Sequence, residues 1–251
     1  MHVSFVGAGP GDPELITVKG QRLLGEADVI IYAGSLVNPA LLSLAKQGAS
    51  IYNSASMTLD EVIAVMEKAV VNNKKTVRLH TGDPSIYGAI QEQMDALDKK
   101  NITYDVIPGV SSFLATAAAL KREYTLPDVS QTVIITRLEG RTPVPEKEKL
   151  ASLASHNATM CIFLSVHMIE NVMKELMEGG YAQDTPVAIV QKASWPDQKI
   201  FRGTVSTIGQ IITEAKIDRT AMIVVGRCLG SDYSLSRLYA PEFGHMYRDA
   251  K

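Results

Sequence analysis

The chain has 251 residues, enough for one large core or two of moderate size, since domains usually run to about 100–150 residues. Hydrophobic content of 46% and charged content of 21% are ordinary for a folded globular protein. The formal net charge of −2 lacks the basic footprint of a nucleic-acid binder, while leaving room for a local basic patch facing an acidic small molecule.

The opening MHVSFV has no basic region before it and reads as a first β-strand, not a signal peptide. In the first half, strands are predicted at 3–7, 28–32, 50–53, 76–80 and 104–107, with helices at 13–25, 59–70, 85–98 and 111–120. The second helix shows the spacing plainly, with Leu59, Val62, Ile63, Met66 and Val70 on one face. Thr58 before it and Glu61 three residues on form a capping-box pattern. Strand–helix alternation of this kind implies a parallel-type sheet covered by helices.

Residues 122–128 break the periodicity and are the expected linker between an N-terminal domain, 1–121, and a C-terminal domain, 129–251. The second domain is predicted to have strands at 132–136, 160–164, 186–191, 199–203 and 222–226, with helices at 168–178 and 207–215. Residues 186–191 and 199–203 read as a hairpin through Ala193-Ser194-Trp195-Pro196-Asp197, so this sheet is expected to be mixed. Residues after Leu229 carry no clear periodicity. The fold class is therefore α/β, with two α/β domains.

Three turn motifs fall at strand ends. Gly7-Ala8-Gly9-Pro10-Gly11-Asp12 looks at first like a dinucleotide-binding turn, but Asp12 stands where the third glycine belongs and would repel phosphate. Thr81-Gly82-Asp83-Pro84-Ser85-Ile86-Tyr87-Gly88 follows the fourth strand, and Pro108-Gly109-Val110-Ser111-Ser112 the fifth. Open α/β sheets bind ligands at that edge. Asp83 reads equally well as a helix N-cap. No G-x-S-x-G elbow occurs, and no glycine loop ends in Gly-Lys-Ser/Thr, so neither a hydrolase nor a nucleotide triphosphatase is supported.

Taken in order, GAGPGD, GDPSIYG and PGVSS resemble the tetrapyrrole methylase family, and YAGSLV (32–37) with KASWPDQK (192–199) extends the likeness from Val3 to Gly226. The resemblance implies a two-domain methyltransferase with S-adenosylmethionine in a cleft between the domains. It points to the branch that methylates carbon 11 of precorrin-4 or cobalt-precorrin-4 in cobalamin synthesis. It also implies a homodimer, while the two separated cysteines and the lack of a signal-peptide pattern make the cytoplasm the expected location. A sister enzyme acting on another ring carbon, or a non-catalytic S-adenosylmethionine-binding module, would carry much the same motifs.

Carried over by motif, the implied cofactor contacts are Pro10, Gly82, Asp83, Ile86, Ser111, Ser112, Leu164, Ala193 and Ala221. For the last cluster, Leu164, Ala193 and Ala221, ordinary core packing is an equal reading. Asp12, Asp83 and Tyr87 are candidate acid–base groups, each with a structural alternative. Ser35, Arg137, Lys192 and Trp195 are candidate contacts to the substrate's carboxylates, with Arg141 more simply a solvated loop residue. His80 is expected to be a buried, hydrogen-bonded structural histidine. No metal site is expected, because His156 and His167 lack partners at ligand spacing. Cys161 and Cys228 lie far apart and fit a reducing compartment. No apolar run reaches the roughly 18–20 residues of a membrane span, so a membrane is not an expected partner, and the net charge of −2 speaks against nucleic acid.

Overall fold

The computed structural model describes residues 2–250. The chain divides into two compact units, one of 115 residues plus the loop Lys192–Gln198, the other Thr116–Gln191 with 199–250.

The first unit holds a five-stranded sheet of β1 (His2–Gly7), β2 (Val29–Tyr32), β3 (Ser50–Asn53), β4 (Thr76–His80) and β5 (Thr103–Ile107), in the order β3-β2-β4-β1-β5. Every pairing is parallel. Val3, Phe5, Val29 and Ile31 pack on one face against α2 (Leu59–Val71) and α3 (Gln91–Lys99). Val6, Ile30, Val77, Leu79 and Ile107 pack on the other with Leu24 of α1 (Val18–Glu26) and Leu41. Burial on both faces is most complete at the central strands β1, β2 and β4, whose residues are nearly all inaccessible to solvent. The capping box of α2 is present: Thr58 Oγ1 accepts from the Glu61 amide, and Glu61 accepts from the Thr58 amide at 2.7 Å. That bond holds the Glu61 carboxyl below its usual range.

Two helices are shorter than their sequence spacing predicts. Residues 13–25 split into a 3-10 turn (Pro13–Leu15) and α1, because Asp12 and Thr17 each cap a separate start. The predicted helix 85–98 begins only at Gln91, since Tyr87 (φ 55°) and Ala89 (φ 49°) hold left-handed backbone.

The second unit holds β6 (Val133–Arg137), β7 (Thr159–Phe163), β8 (Pro186–Gln191), β9 (Lys199–Thr204) and β10 (Ala221–Val225), in the order β6-β7-β10-β8-β9. β6 and β7 run parallel and the other pairs antiparallel, so the sheet is mixed, and β8–β9 is the expected hairpin. One face buries Met160, Ile162, Val187, Ile189, Ile223 and Val225. They pack against α5 (Leu150–Ala154), α6 (Ile169–Glu178) and α7 (Ile208–Glu214).

The unit boundary differs from the linker expected at 122–128. It falls inside α4 (Ser112–Leu120), between Ala115 and Thr116. Residues 122–128 are instead anchored in the second unit, with Tyr124 6% and Leu126 8% exposed. The second difference is the Lys192–Gln198 loop, expected in the C-terminal domain. It interrupts the hairpin and packs with the first unit, for reasons given below. Among the described residues no helix is long and apolar enough to cross a membrane.

Candidate active site

A parallel sheet delivers the carboxyl ends of all its strands to one edge. There β1, β4 and β5 end at Gly7, His80 and Ile107, and their backbones come into direct contact. A Cβ on Gly109 would lie 2.1 Å from the Gly82 carbonyl oxygen, and one on Gly7 2.6 Å from Gly109 Cα. Gly9 and Gly82 pair as an antiparallel bridge, with the Gly82 amide donating to the Gly9 carbonyl at 2.8 Å. Gly82 adopts φ 61°, a conformation that any side chain would strain. The three motifs predicted separately from sequence therefore form one surface of closely packed backbone.

Asp83 fixes that surface. Its Oδ2 accepts from the Gly109 amide at 2.9 Å and its Oδ1 from the Ser85 amide at 2.8 Å. The carboxylate thus ties the loop after β4 to the loop after β5, which combines the capping role with a bracing one. Ser111 is 4% exposed, and its carbonyl opens α4 by accepting from the Leu114 and Ala115 amides. Ser112 and Ile86 are half-buried beside these loops.

The glycine loop is covered by the Lys192–Gln198 loop. The Trp195 indole lies against Gly11, where a Cβ would come within 1.9 Å of Cδ1, and its Nε1 donates to the Pro10 carbonyl at 3.0 Å. The Asp12 amide donates to Ser194 Oγ at 3.0 Å, and Asn38 Nδ2 donates to the Gly11 carbonyl at 2.7 Å. These bonds are why the loop leaves its own hairpin, and they bury Pro10 and Ala193. Sequence alone does not mark Asn38 or Ser194 as contact residues, because their partners lie 27 and 182 residues away in the chain.

Several candidate side chains are engaged within the protein. Asp12 Oδ1 accepts from the Glu14 amide at 2.9 Å, as an N-cap. Lys192 pairs with Asp197 at 2.5 Å and sits 5.5 Å from the Trp195 ring. Arg137 donates to the carbonyls of Leu138, Thr142 and Pro143 at 2.9–3.3 Å, closing its own loop. Ser35 is exposed in the loop after β2, and Tyr87 is 46% exposed. Among the described residues, no group of three or more His, Cys, Asp or Glu side chains is placed to hold a metal ion.

His80 is buried as expected, at 4% exposure, but its Nε2 has no hydrogen-bond partner. Burial, together with the charge of Arg78, pushes its pKa down to about 3. Arg78 is itself 6% exposed, and burial lowers its pKa to about 10.

In the second unit, Leu164 follows β7 with φ 55° and 53% exposure. A branched apolar side chain held in left-handed backbone and facing solvent is unfavourable on both counts. Ile223 pairs with Ile162 in antiparallel register, so Ala221 enters the sheet at the end where Leu164 leaves it. Gln191 pairs with Ala221, and Arg137 with Phe163, at that same end. The residues predicted in this unit thus share one sheet edge.

The profile of the tetrapyrrole (corrin/porphyrin) methylases matches residues 2–209. The chain belongs to that family. A relative from Methanocaldococcus jannaschii named cobalt-precorrin-4 C(11)-methyltransferase is 61% identical, covering 98% of this chain and 95% of its own. The X-ray structure of a cobalamin biosynthetic enzyme, a cobalt-precorrin-4 methyltransferase, superposes with a TM-score of 0.89 at 48% identity. That match covers 92% of this chain and 96% of the other. Uroporphyrin-III C-methyltransferase from Thermus thermophilus, complexed with S-adenosyl homocysteine, superposes with a TM-score of 0.75 at 26% identity, over 91% and 93%. For a tetrapyrrole methylase, the edge formed by Gly7, Gly82 and Gly109 is suited to a ligand that lies against backbone. The contacts there leave no room for a Cβ on Gly7 or Gly109, so the strand ends close up beneath it.

Proposed function

We propose that the chain is an S-adenosylmethionine-dependent methyltransferase that methylates carbon 11 of cobalt-precorrin-4, or of precorrin-4, in cobalamin biosynthesis. The observation that carries this reading is the 61% identity, over nearly the full length of both chains, to a relative of that name. The glycine edge, braced by Asp83, supplies a physical place for the cofactor in the first unit. S-adenosylmethionine, when bound, supplies an electrophilic methyl on a sulfonium.

An electron-rich tetrapyrrole needs no protein nucleophile, so the work left to this chain is placement. Holding two reactants in line is worth up to about 7–11 kcal/mol of barrier in favourable cases. The Gly82 and Gly109 backbones, fixed by Asp83, are rigid supports for such placement. In this reading Pro10, Gly82, Asp83, Ile86, Ser111, Ser112 and Ala193 line the cofactor on the first unit. The family resemblance also assigns Leu164 and Ala221, which share one end of the second unit's sheet, to the cofactor. Asp12 and Asp83 act as positioning groups and not as bases, since each spends carboxylate oxygen on backbone amides. The enzyme works in this reading as a homodimer, on the strength of the family resemblance, and in the cytoplasm, in keeping with its two free cysteines.

Incubation with methyl-labelled S-adenosylmethionine and each tetrapyrrole, followed by mass and carbon NMR analysis of the product, tests the proposal. One labelled methyl at carbon 11 is the expected result. Label at another ring carbon, or no transfer by protein that binds S-adenosylhomocysteine, would overturn it. Light scattering of the purified chain tests the dimer.

A further inference from the structure

The first sheet holds a buried cation with no anion beside it. Arg78, in the middle of β4, donates from Nε to Gln93 Oε1 at 3.0 Å and from a terminal nitrogen to the Ile31 carbonyl at 3.3 Å. Both acceptors are neutral, and no carboxylate among the described residues offsets the charge. Buried charges are normally paired. Two residues along the same strand face stands His80, 6.1 Å from the Phe5 ring, with its Nε2 buried and unpartnered. The next residue, Thr81, has its Oγ1 in the same condition. Only one other side-chain atom among the described residues is orphaned in this way, Arg248 Nε, so two of the three are adjacent and directly precede Gly82. Buried polar atoms are nearly always bonded, and a cluster of exceptions at a ligand edge asks for a partner from outside the chain.

We propose that His80, backed by the charge of Arg78, receives a side-chain carboxylate of the tetrapyrrole substrate through a hydrogen bond donated by Nε2. This rests on the methyltransferase reading and extends it to a residue that the motif comparison leaves out. A carboxylate is the complementary group on two grounds: it accepts the hydrogen bond, and it supplies the negative charge that Arg78 lacks. The neutral ring carries its proton on Nε2 in this arrangement. Position agrees with this assignment. β4 lies between β2 and β1, so His80 stands between the Ser35 loop after β2 and the glycine turn after β1. The following segment, 84–90, holds Tyr87 and Ala89 in left-handed backbone, the kind of stored strain found at ligand clamps.

The test compares His80→Leu with His80→Gln, whose side-chain amide can still donate. With S-adenosylhomocysteine affinity unchanged by calorimetry, His80→Leu is expected to raise the tetrapyrrole KM about 10–100-fold with little change in kcat, the range of a hydrogen bond to a charged group. His80→Gln is expected to recover most of that loss. Equal KM in folded His80→Leu and wild type would overturn the proposal, as would a joint loss of cofactor and substrate affinity that glutamine does not rescue. Should His80→Leu fail to fold, nitrogen NMR of histidine-labelled wild type decides. The Nε2 resonance of His80 is expected to move when diamagnetic substrate saturates the cofactor-loaded protein, and a stationary resonance refutes the contact. If S-adenosylhomocysteine does not bind at all, the methyltransferase reading itself has failed.

Discussion

The two five-stranded sheets reach their functional edges by different means. In the first unit all strands are parallel, so β1, β4 and β5 end together, and their loops are locked by backbone contacts among Gly7, Gly82 and Gly109. In the second unit antiparallel pairing brings the end of β7 next to the start of β10, and the candidate residues there, Leu164 and Ala221, are held by sheet register alone. One edge is built from close-packed main chain and has almost no tolerance. The other presents side chains on an ordinary apolar sheet and has more.

The most damaging way to break that contrast is Gly109→Ala. Its Cβ would sit 2.1 Å from the Gly82 carbonyl, so backbone must move. We expect a loss of about 3 kcal/mol or more, at or beyond the usual cost of overpacking, visible as a large drop in the urea midpoint. Asp83→Ala should follow, removing the acceptor for the Gly109 and Ser85 amides. About 2–3 kcal/mol of stability is expected to go, with weaker S-adenosylhomocysteine binding by calorimetry. Asp83→Asn, which keeps one acceptor oxygen, should fall between.

Acid should act on the first unit through His80. Its folded pKa of about 3 lies below the ordinary 6.5, so the unfolded chain takes up the proton first as pH falls. The stability is whole above about pH 6.5 and is lost between there and 3, amounting to about 2 kcal/mol by pH 5. Urea midpoints at pH 7 and pH 5 measure this, and His80→Gln should flatten the difference. The smallest effect belongs to the second edge. Leu164→Gly relieves left-handed strain on an exposed side chain and should change stability by no more than about 1 kcal/mol, upward if at all. Loss of S-adenosylhomocysteine affinity in that stable variant would show that the strain serves binding.

Local chemistry made much of the molecule legible. The capping box at Thr58 and Glu61 and the β8–β9 hairpin are readable because each rests on residues close in the chain, and the parallel sheet because strand–helix alternation implies it. Helix 85–98 was overextended because apolar spacing continues through Tyr87 and Ala89, and only their backbone angles show the break. The Lys192–Gln198 loop was assigned to the wrong unit because its partners, Pro10, Gly11 and Asp12, lie at the other end of the chain. Arg137 and Lys192 looked available for substrate, since a sequence does not show carbonyls or an aspartate already claiming a cation.

By itself the sequence determined the alternation of strands and helices, the glycine turns at strand ends and the family to which they belong, all consequences of local propensity and residue order. Only the tertiary structure decided that three glycines meet, that Asp83 braces them, that Trp195 covers the first loop, and that Arg78 and His80 are buried without a partner anion. Those are matters of which atoms approach through space, and a chain's order along its length does not contain them until it folds.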